Sequence, residues 1–212
     1  MGADSKKRQK RLAKKKAKRK SSASRKNLTG DRSSISIAQK APVHECFLGS
    51  NTFEIGIGLT MVSKKMPNMS IAAAIFLLDV YCLGVKDCYL KVFSRLDYAK
   101  FMDEFHRKDR FEAIHPSCTR KLVEQAVDYA KNIGIDPCNE YKSTKKIFGD
   151  INPEVCPREF TFGQNGKPFY VAGPNDSPDF SNKIMKKLLK NCGEDNFHYL
   201  IPVNKDGFDD NF

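Results

Sequence analysis

Two long apolar runs dominate the middle of the chain. Residues 53–63 (FEIGIGLTMVS) and 70–83 (SIAAAIFLLDVYCL) flank Lys65-Met66-Pro67-Asn68. Proline and asparagine there favour a turn, so the pattern predicts a long hairpin. The second run is apolar at both odd and even positions, which predicts a strand central in its sheet and covered by helices on one side. After Gly84-Val85-Lys86-Asp87, residues 88–93 alternate and predict a third strand.

The period then changes to that of helices. Ser94 caps a segment reaching about His106, with Tyr98, Phe101, Met102 and Phe105 on one face. Pro116 or Ser117 starts a second helix, whose stripe is Leu122, Val123, Ala126, Val127, Ala130 and Ile133 and whose stop is Gly134. Asp136-Pro137 opens a short third, ended by Gly149. Residues 158–172 (REFTFGQNGKPFYVA) then predict a hairpin, because Asn165-Gly166 suits a type I′ turn. That turn sets Gln164 opposite Lys167, Phe162 opposite Phe169 and Phe160 opposite Val171. Pro168 cannot donate to a ladder, so its strand belongs at an edge. A last helix runs from Ser177-Pro178 to about Asn191, with Phe180, Ile184, Leu188 and Leu189 inward and Gly193 as its stop.

These elements predict one α+β domain over residues 41–212: an antiparallel sheet of four or five strands packed by helices on one face. Order is expected to begin near Pro42-Val43. Residues 1–40 read as a disordered tail and linker, since Leu12 is the only large aliphatic residue in the first 26.

Charge sharpens this division. Lys6, Lys7, Arg8, Lys10, Arg11, Lys14, Lys15, Lys16, Lys18, Arg19, Lys20, Arg25 and Lys26 face a single acid, Asp4, within residues 1–26. That segment therefore carries +12, the whole formal net charge of the chain. The remainder is formally neutral, so the high pI belongs to an appendage. Flexible lysines and arginines at this density neutralise phosphates with little preference for sequence. Residues 1–40 contain no aromatic side chain, which argues against membrane anchoring and base stacking.

In the last helix, Lys183, Lys186, Lys187 and Lys190 lie opposite the apolar stripe. They offer a second phosphate-contacting face, led by Lys183 and Lys187. The ordinary alternative is the solvated side of an amphipathic helix, with lysines favouring its C-terminal end.

Acids are the only material for catalysis. Asp79 stands in an apolar strand, Asp87 follows the Gly84 turn, and Glu124, Asp128 and Asp150 could approach them; carboxylates meeting at a sheet would hold Mg²⁺ as nucleases do. A buried Asp79 bonded to neighbouring backbone is the simpler account. Outside that reading no metal or cofactor is expected. His44-Glu45-Cys46 and the Cys82/Cys88 pair lack the spacing of a structural zinc site, and Gly56-Ile57-Gly58 lacks the third glycine of a dinucleotide fingerprint. Gly173-Pro174-Asn175 at a helix N-terminus could cradle an anion, with Asp176 opposing it. Seven cysteines (Cys46, Cys82, Cys88, Cys118, Cys138, Cys156, Cys192) without a C-x-x-C read as reduced, mostly buried thiols. With no apolar leader and no run long enough to span a bilayer, a cytoplasmic setting is expected.

The basic start, Val43-His44-Glu45-Cys46, Cys82-Leu83-Gly84-Val85-Lys86-Asp87, Ile147-Phe148-Gly149-Asp150 and the segment from Phe162-Gly163 to Asn175-Asp176 together resemble a family of uncharacterised bacterial proteins. The resemblance spans most of residues 43–178. It implies a bacterial cytoplasmic setting and nothing about catalysis.

The favoured expectation is an RNA-binding accessory protein, ribosome-associated, anchored by its tail, without a membrane partner. One alternative is a Mg²⁺-dependent nuclease using Asp79, Asp87 and Glu124. The other is a protein-interaction module whose tail tunes location.

Overall fold

The computed structural model describes residues 32–201, so residues 1–31 of the tail and linker expected over residues 1–40 lie outside the described residues. Five strands form an antiparallel sheet in the order β4-β3-β2-β1-β5: β1 is Val43–Gly49, β2 Ile57–Lys65, β3 Ile71–Asp79, β4 Gly84–Phe93 and β5 Phe111–Ala113. The β2–β3 hairpin forms in the expected place, from Ile57 opposite Asp79 to Lys65 opposite Ile71. Its turn closes through Met66 N–H to the Ser70 carbonyl at 2.9 Å, with Asn68 Oδ1 accepting from Ser70 N–H at 3.2 Å.

The first apolar run is not all strand. Thr52–Ile55 makes one helical turn, α2, after which Gly56 takes a left-handed φ of 87° and hands the chain to β2. A Cβ at Gly56 would stand 2.0 Å from the Tyr81 ring, so the tight turn and the close approach both require glycine. Strands β1 and β5 leave no clear signal in the pattern because β1 carries mixed side chains, β5 has only three residues, and they pair with segments distant in sequence.

Strand β3 is central and apolar on both faces, as its composition predicts. Ala72, Ala74, Phe76 and Leu78 face the larger helical layer. That layer contains α4 (Pro116–Asn132), whose Leu122, Val123, Ala126, Val127 and Ala130 are buried as expected. The opposite parity, Ile71, Ala73 and Ile75, packs with Tyr98 and Phe105 of α3 (Arg95–Lys108). Helices thus form the main layer on one face, and α3 adds a cover on the other. An all-apolar central strand requires both, since either bare face would leave apolar surface in water. Ser94 caps α3 as predicted, its Oγ accepting from Asp97 N–H at 3.1 Å.

Order begins earlier than Pro42. Residues Arg32–Lys40 form helix α1, in which Ala38 is fully buried. The sequence does not reveal this helix, because its fit to the domain rests on the short contact of Ile35 and Ala38 with the core and on a tertiary hydrogen bond from Lys64 to Gln39.

Three further expectations are corrected. The helix expected from Asp136-Pro137 is only Tyr141–Thr144 (α5), followed by a 3₁₀ turn to Phe148. The hairpin over residues 158–172 closes its turn, with Asn165 and Gly166 at positive φ and Gln164 bridged to Lys167, but does not extend. Gly163 N–H bonds to the Val80 carbonyl and Phe169 N–H to the Tyr81 carbonyl, so the flanking backbone is already committed. Phe160 stacks on Phe53 and Phe162 on Tyr129 instead of pairing across a ladder. Strand β6 (Phe169–Val171) pairs in parallel with β7 (His198–Leu200). Finally, Cys118 and Cys156 are joined in a disulfide, which overturns the reading of seven reduced thiols.

Candidate functional site

The last helix, α6 (Pro178–Cys192), packs beside the start of β4 through a second small core containing Leu83, Tyr170, Ile184 and Leu188. Its buried stripe is narrower than expected. Phe180 and Leu189 are exposed, while Ile184 and Leu188 share a buried cluster with Cys82, Leu83, Ala130, Ile135 and Tyr170. Lys183, Lys186 and Lys190 are exposed and Lys187 is half-buried, and the four line a shallow depression of about 470 Å³ with Asp179 and Asn182. Like charges at i and i+4 destabilise a helix. Among the described ion pairs only Lys187 of these four has an acidic partner, Asp136 at 3.7 Å.

Between α6, β4 and the chain at 135–140 runs a cleft of about 790 Å³. It owes its shape to a β-bulge: Leu77 pairs with Asp87 and Leu78 with Val85, leaving Lys86 as the extra residue. A bulge re-aims the side chains around it. Here it sends Lys86 Nζ to Asp176 Oδ2 at 2.9 Å. The same oxygen accepts from Gly173 N–H at 2.9 Å and lies 3.3 Å from the Tyr170 hydroxyl. Asp176 therefore fills the cradle that Gly173-Pro174-Asn175 was expected to offer an anion.

The three catalytic candidates part company. Asp79 is buried, and its Oδ1 accepts from Tyr81 N–H at 3.2 Å and Cys82 N–H at 2.8 Å, closing the turn between β3 and β4. Burial pushes its carboxyl up to about 6, against the pull of these hydrogen bonds. Glu124 holds the Arg120 guanidinium at 2.9 Å, which in turn donates to the carbonyls of Gly149 and Ile151. Asp87 is exposed at the cleft. Among the described residues, no group of three convergent metal-ligating side chains includes Asp79 or Glu124.

Asp87 does converge with two residues that the sequence did not single out. The ligand atoms of Asp87, Cys138 and Glu140 all lie within 4.8 Å of one another. Cys138 N–H bonds to the Val85 carbonyl at 3.1 Å, pinning that chain to β4 beside the bulge. Behind it the sulfurs of Cys88 and Cys138 are 3.4 Å apart. With Cys88 as donor, this bond draws the Cys138 thiol below the ordinary cysteine range and pushes the Cys88 thiol far above it. Asp87 stands out in the sequence as a possible metal ligand, whereas the Cys138-x-Glu140 spacing is too common to signal anything by itself.

No protein-family model, curated protein or solved structure matches the chain. Lys6, Lys7, Arg8, Lys10, Arg11, Lys14, Lys15, Lys16, Lys18, Arg19 and Lys20 lie outside the described residues. Lys183 and Lys187 stand side by side on α6, which does not bring them near Asp79 or Glu124 in any described contact. None of the described helices is long and apolar enough to cross a membrane.

Proposed function

We propose that the protein is an RNA-binding accessory protein in which the basic segment of residues 1–26 grips phosphates and the lysine face of α6 supplies a second contact surface. One observation supports the reading above others: Lys183, Lys186, Lys187 and Lys190 crowd one face of a helix in a chain that already carries a segment of +12. Keeping four lysines at i, i+3 and i+4 spacings costs helix stability, and only Lys187 has an acidic partner among the described ion pairs. Phosphates would offset that repulsion, each contact releasing counterions. Such binding is non-specific in sequence, which suits attachment to a large structured RNA such as that of a ribosome.

Sedimentation with purified ribosomes, and binding to a labelled single-stranded RNA, test the reading directly. Association is expected for the full chain and weakened when Lys183, Lys186 and Lys190 are replaced by Ala. Binding that is indifferent both to these replacements and to loss of residues 1–26 would reject it.

A further inference from the structure

We infer that Asp87, Cys138 and Glu140 form a binding site for a borderline divalent cation of the Zn²⁺ type, open on its fourth side to the cleft beneath α6. The inference is independent of RNA binding and rests on four observations.

The first is convergence from separate parts of the chain: Asp87 comes from β4, and Cys138 with Glu140 from the chain before α5, yet all three ligand atoms lie within 4.8 Å of one another. Ligands bound to zinc at about 2.0–2.3 Å stand roughly 3.5 Å apart, so the three need close by only about 1 Å to share an ion. Rotation of the two carboxylates covers that distance.

The second is charge. The described ion pairs leave both carboxylates without a cation, although Lys86, Lys183 and Lys187 line the same cleft. Lys86 is committed to Asp176 and Lys187 to Asp136. The carboxylates of Asp87 and Glu140 lie within 4.8 Å of each other, and like charges that close repel unless a cation stands between them.

The third is ligand chemistry. Two carboxylates alone would suit Mg²⁺ or Ca²⁺, but a sulfur at the centre of the group selects a softer ion. Cys138 is held for the purpose at both ends. Its backbone N–H is fixed to the Val85 carbonyl, and its sulfur stands 3.4 Å from that of the buried Cys88 behind it, placed to accept from that thiol when Cys138 is ionised. Partners of this outer kind orient a metal ligand without touching the metal.

The fourth is access. The group sits in the wall of a cleft of about 790 Å³, so a three-ligand site leaves a position for water or a small anionic ligand. Three protein ligands and an open position characterise reactive zinc sites, whereas structural ones are closed by four.

Co²⁺, which substitutes for zinc and absorbs visibly when bound to thiolate, is the probe. Full-length protein with its Cys118–Cys156 disulfide intact and Cys88 and Cys138 as free thiols is expected to take up one Co²⁺ with a thiolate-to-cobalt charge-transfer band, displaced by one equivalent of Zn²⁺. Cys138→Ser should abolish the band. Glu140→Gln and Asp87→Asn should retain a weaker one and lower Zn²⁺ affinity, measured against a chromophoric chelator, by about tenfold or more. Asp87 is exposed and Glu140 half-buried, and neither is held in an ion pair among the described residues, so these two variants decide the matter if Cys138→Ser does not fold. Cys88→Ala should keep the band. The site is refuted if no charge-transfer band appears, if it survives Cys138→Ser, or if Glu140→Gln and Asp87→Asn bind Zn²⁺ as tightly as the unaltered chain. Loss of the band in Cys88→Ala equally overturns it, since the ion would then sit between the two thiols.

Discussion

The ammonium of Lys64, only 1% exposed, donates to the backbone carbonyl of Gln39 at 2.9 Å and so ties β2 to α1. Burial lowers the lysine's pKa, and the nearby Asp150 carboxylate works in the opposite direction. Gly149 closes the same corner: a Cβ there would stand 2.1 Å from the Gln39 carbonyl oxygen. A chain beginning at Arg32 is therefore expected to unfold at the same denaturant concentration as the full chain. One beginning at Ala41 should lose about 2 kcal/mol or more, because a buried cation is left without its acceptor. Equal midpoints for the two truncations would show that α1 contributes nothing to the domain.

Asp79 has an opposite pH signature to that of a salt-bridged acid. Unfolded, its carboxyl releases its proton near 3.8; folded, burial delays release to about 6. Between those values the folded chain holds the extra proton, so stability falls as pH rises through the window and levels off above it. Asp79→Asn should flatten that fall while keeping an oxygen to accept from Tyr81 and Cys82, and should raise stability near neutral pH by at most about 3 kcal/mol. Urea midpoints measured on both sides of the window check it, and a variant that keeps the slope would assign the titration to another group.

Gly166 offers a test of backbone geometry alone. It has a φ of 78°, and no atom comes within 4 Å of where a Cβ would stand, so a side chain there meets strain but no clash. Gly166→Val should cost ~1–3 kcal/mol. Gly56→Val should cost more, because the Tyr81 ring stands where the side chain would go. If Gly166→Val were the more damaging of the two in thermal melts, the turn would have to be tighter than described.

The Cys118–Cys156 disulfide joins the start of α4 to the chain 38 residues later. Closing a loop of that length removes conformations from the unfolded chain, and the double replacement Cys118→Ala/Cys156→Ala should lose roughly 3–4 kcal/mol. Calorimetry with and without reductant should reproduce the loss in the unaltered chain only. Insensitivity of that chain to reductant would mean the two sulfurs are not bonded in solution.

Salt dependence measures how the two basic surfaces cooperate. If half of the thirteen basic residues in the first 26 engage single-stranded RNA at ~0.7 per contact, that segment alone should give a slope of log affinity against log salt near −4 or −5, to which the α6 lysines add. Replacing Lys183, Lys186 and Lys190 by Ala should flatten it by up to about 2. Replacing Lys14, Lys15, Lys16, Lys18, Arg19 and Lys20 should weaken binding to all sequences alike. A slope near zero, or losses confined to particular sequences, would move recognition away from phosphates.

Local chemistry along the chain was enough to place the elements whose causes are local. The β2–β3 hairpin follows from two apolar runs about a Pro-Asn turn, and the caps of α3 and α6 follow from Ser94 and Ser177. The stripe of α4 repeats at the helical period, and the separation of a +12 segment from a neutral remainder is simple composition. Tertiary structure alone decided the rest, because the deciding partner is far away in sequence. Arg32–Lys40 is helical against Lys64, β1 and β5 exist by pairing, and the hairpin after Phe162 stops at its turn because Val80 and Tyr81 claim the backbone on either side. The Asp87, Cys138 and Glu140 group follows the same rule. A β-bulge at Lys86 and one hydrogen bond from Cys138 to Val85 bring together side chains from distant parts of the chain, and neither leaves a mark on the hydrophobic pattern from which a sequence is read.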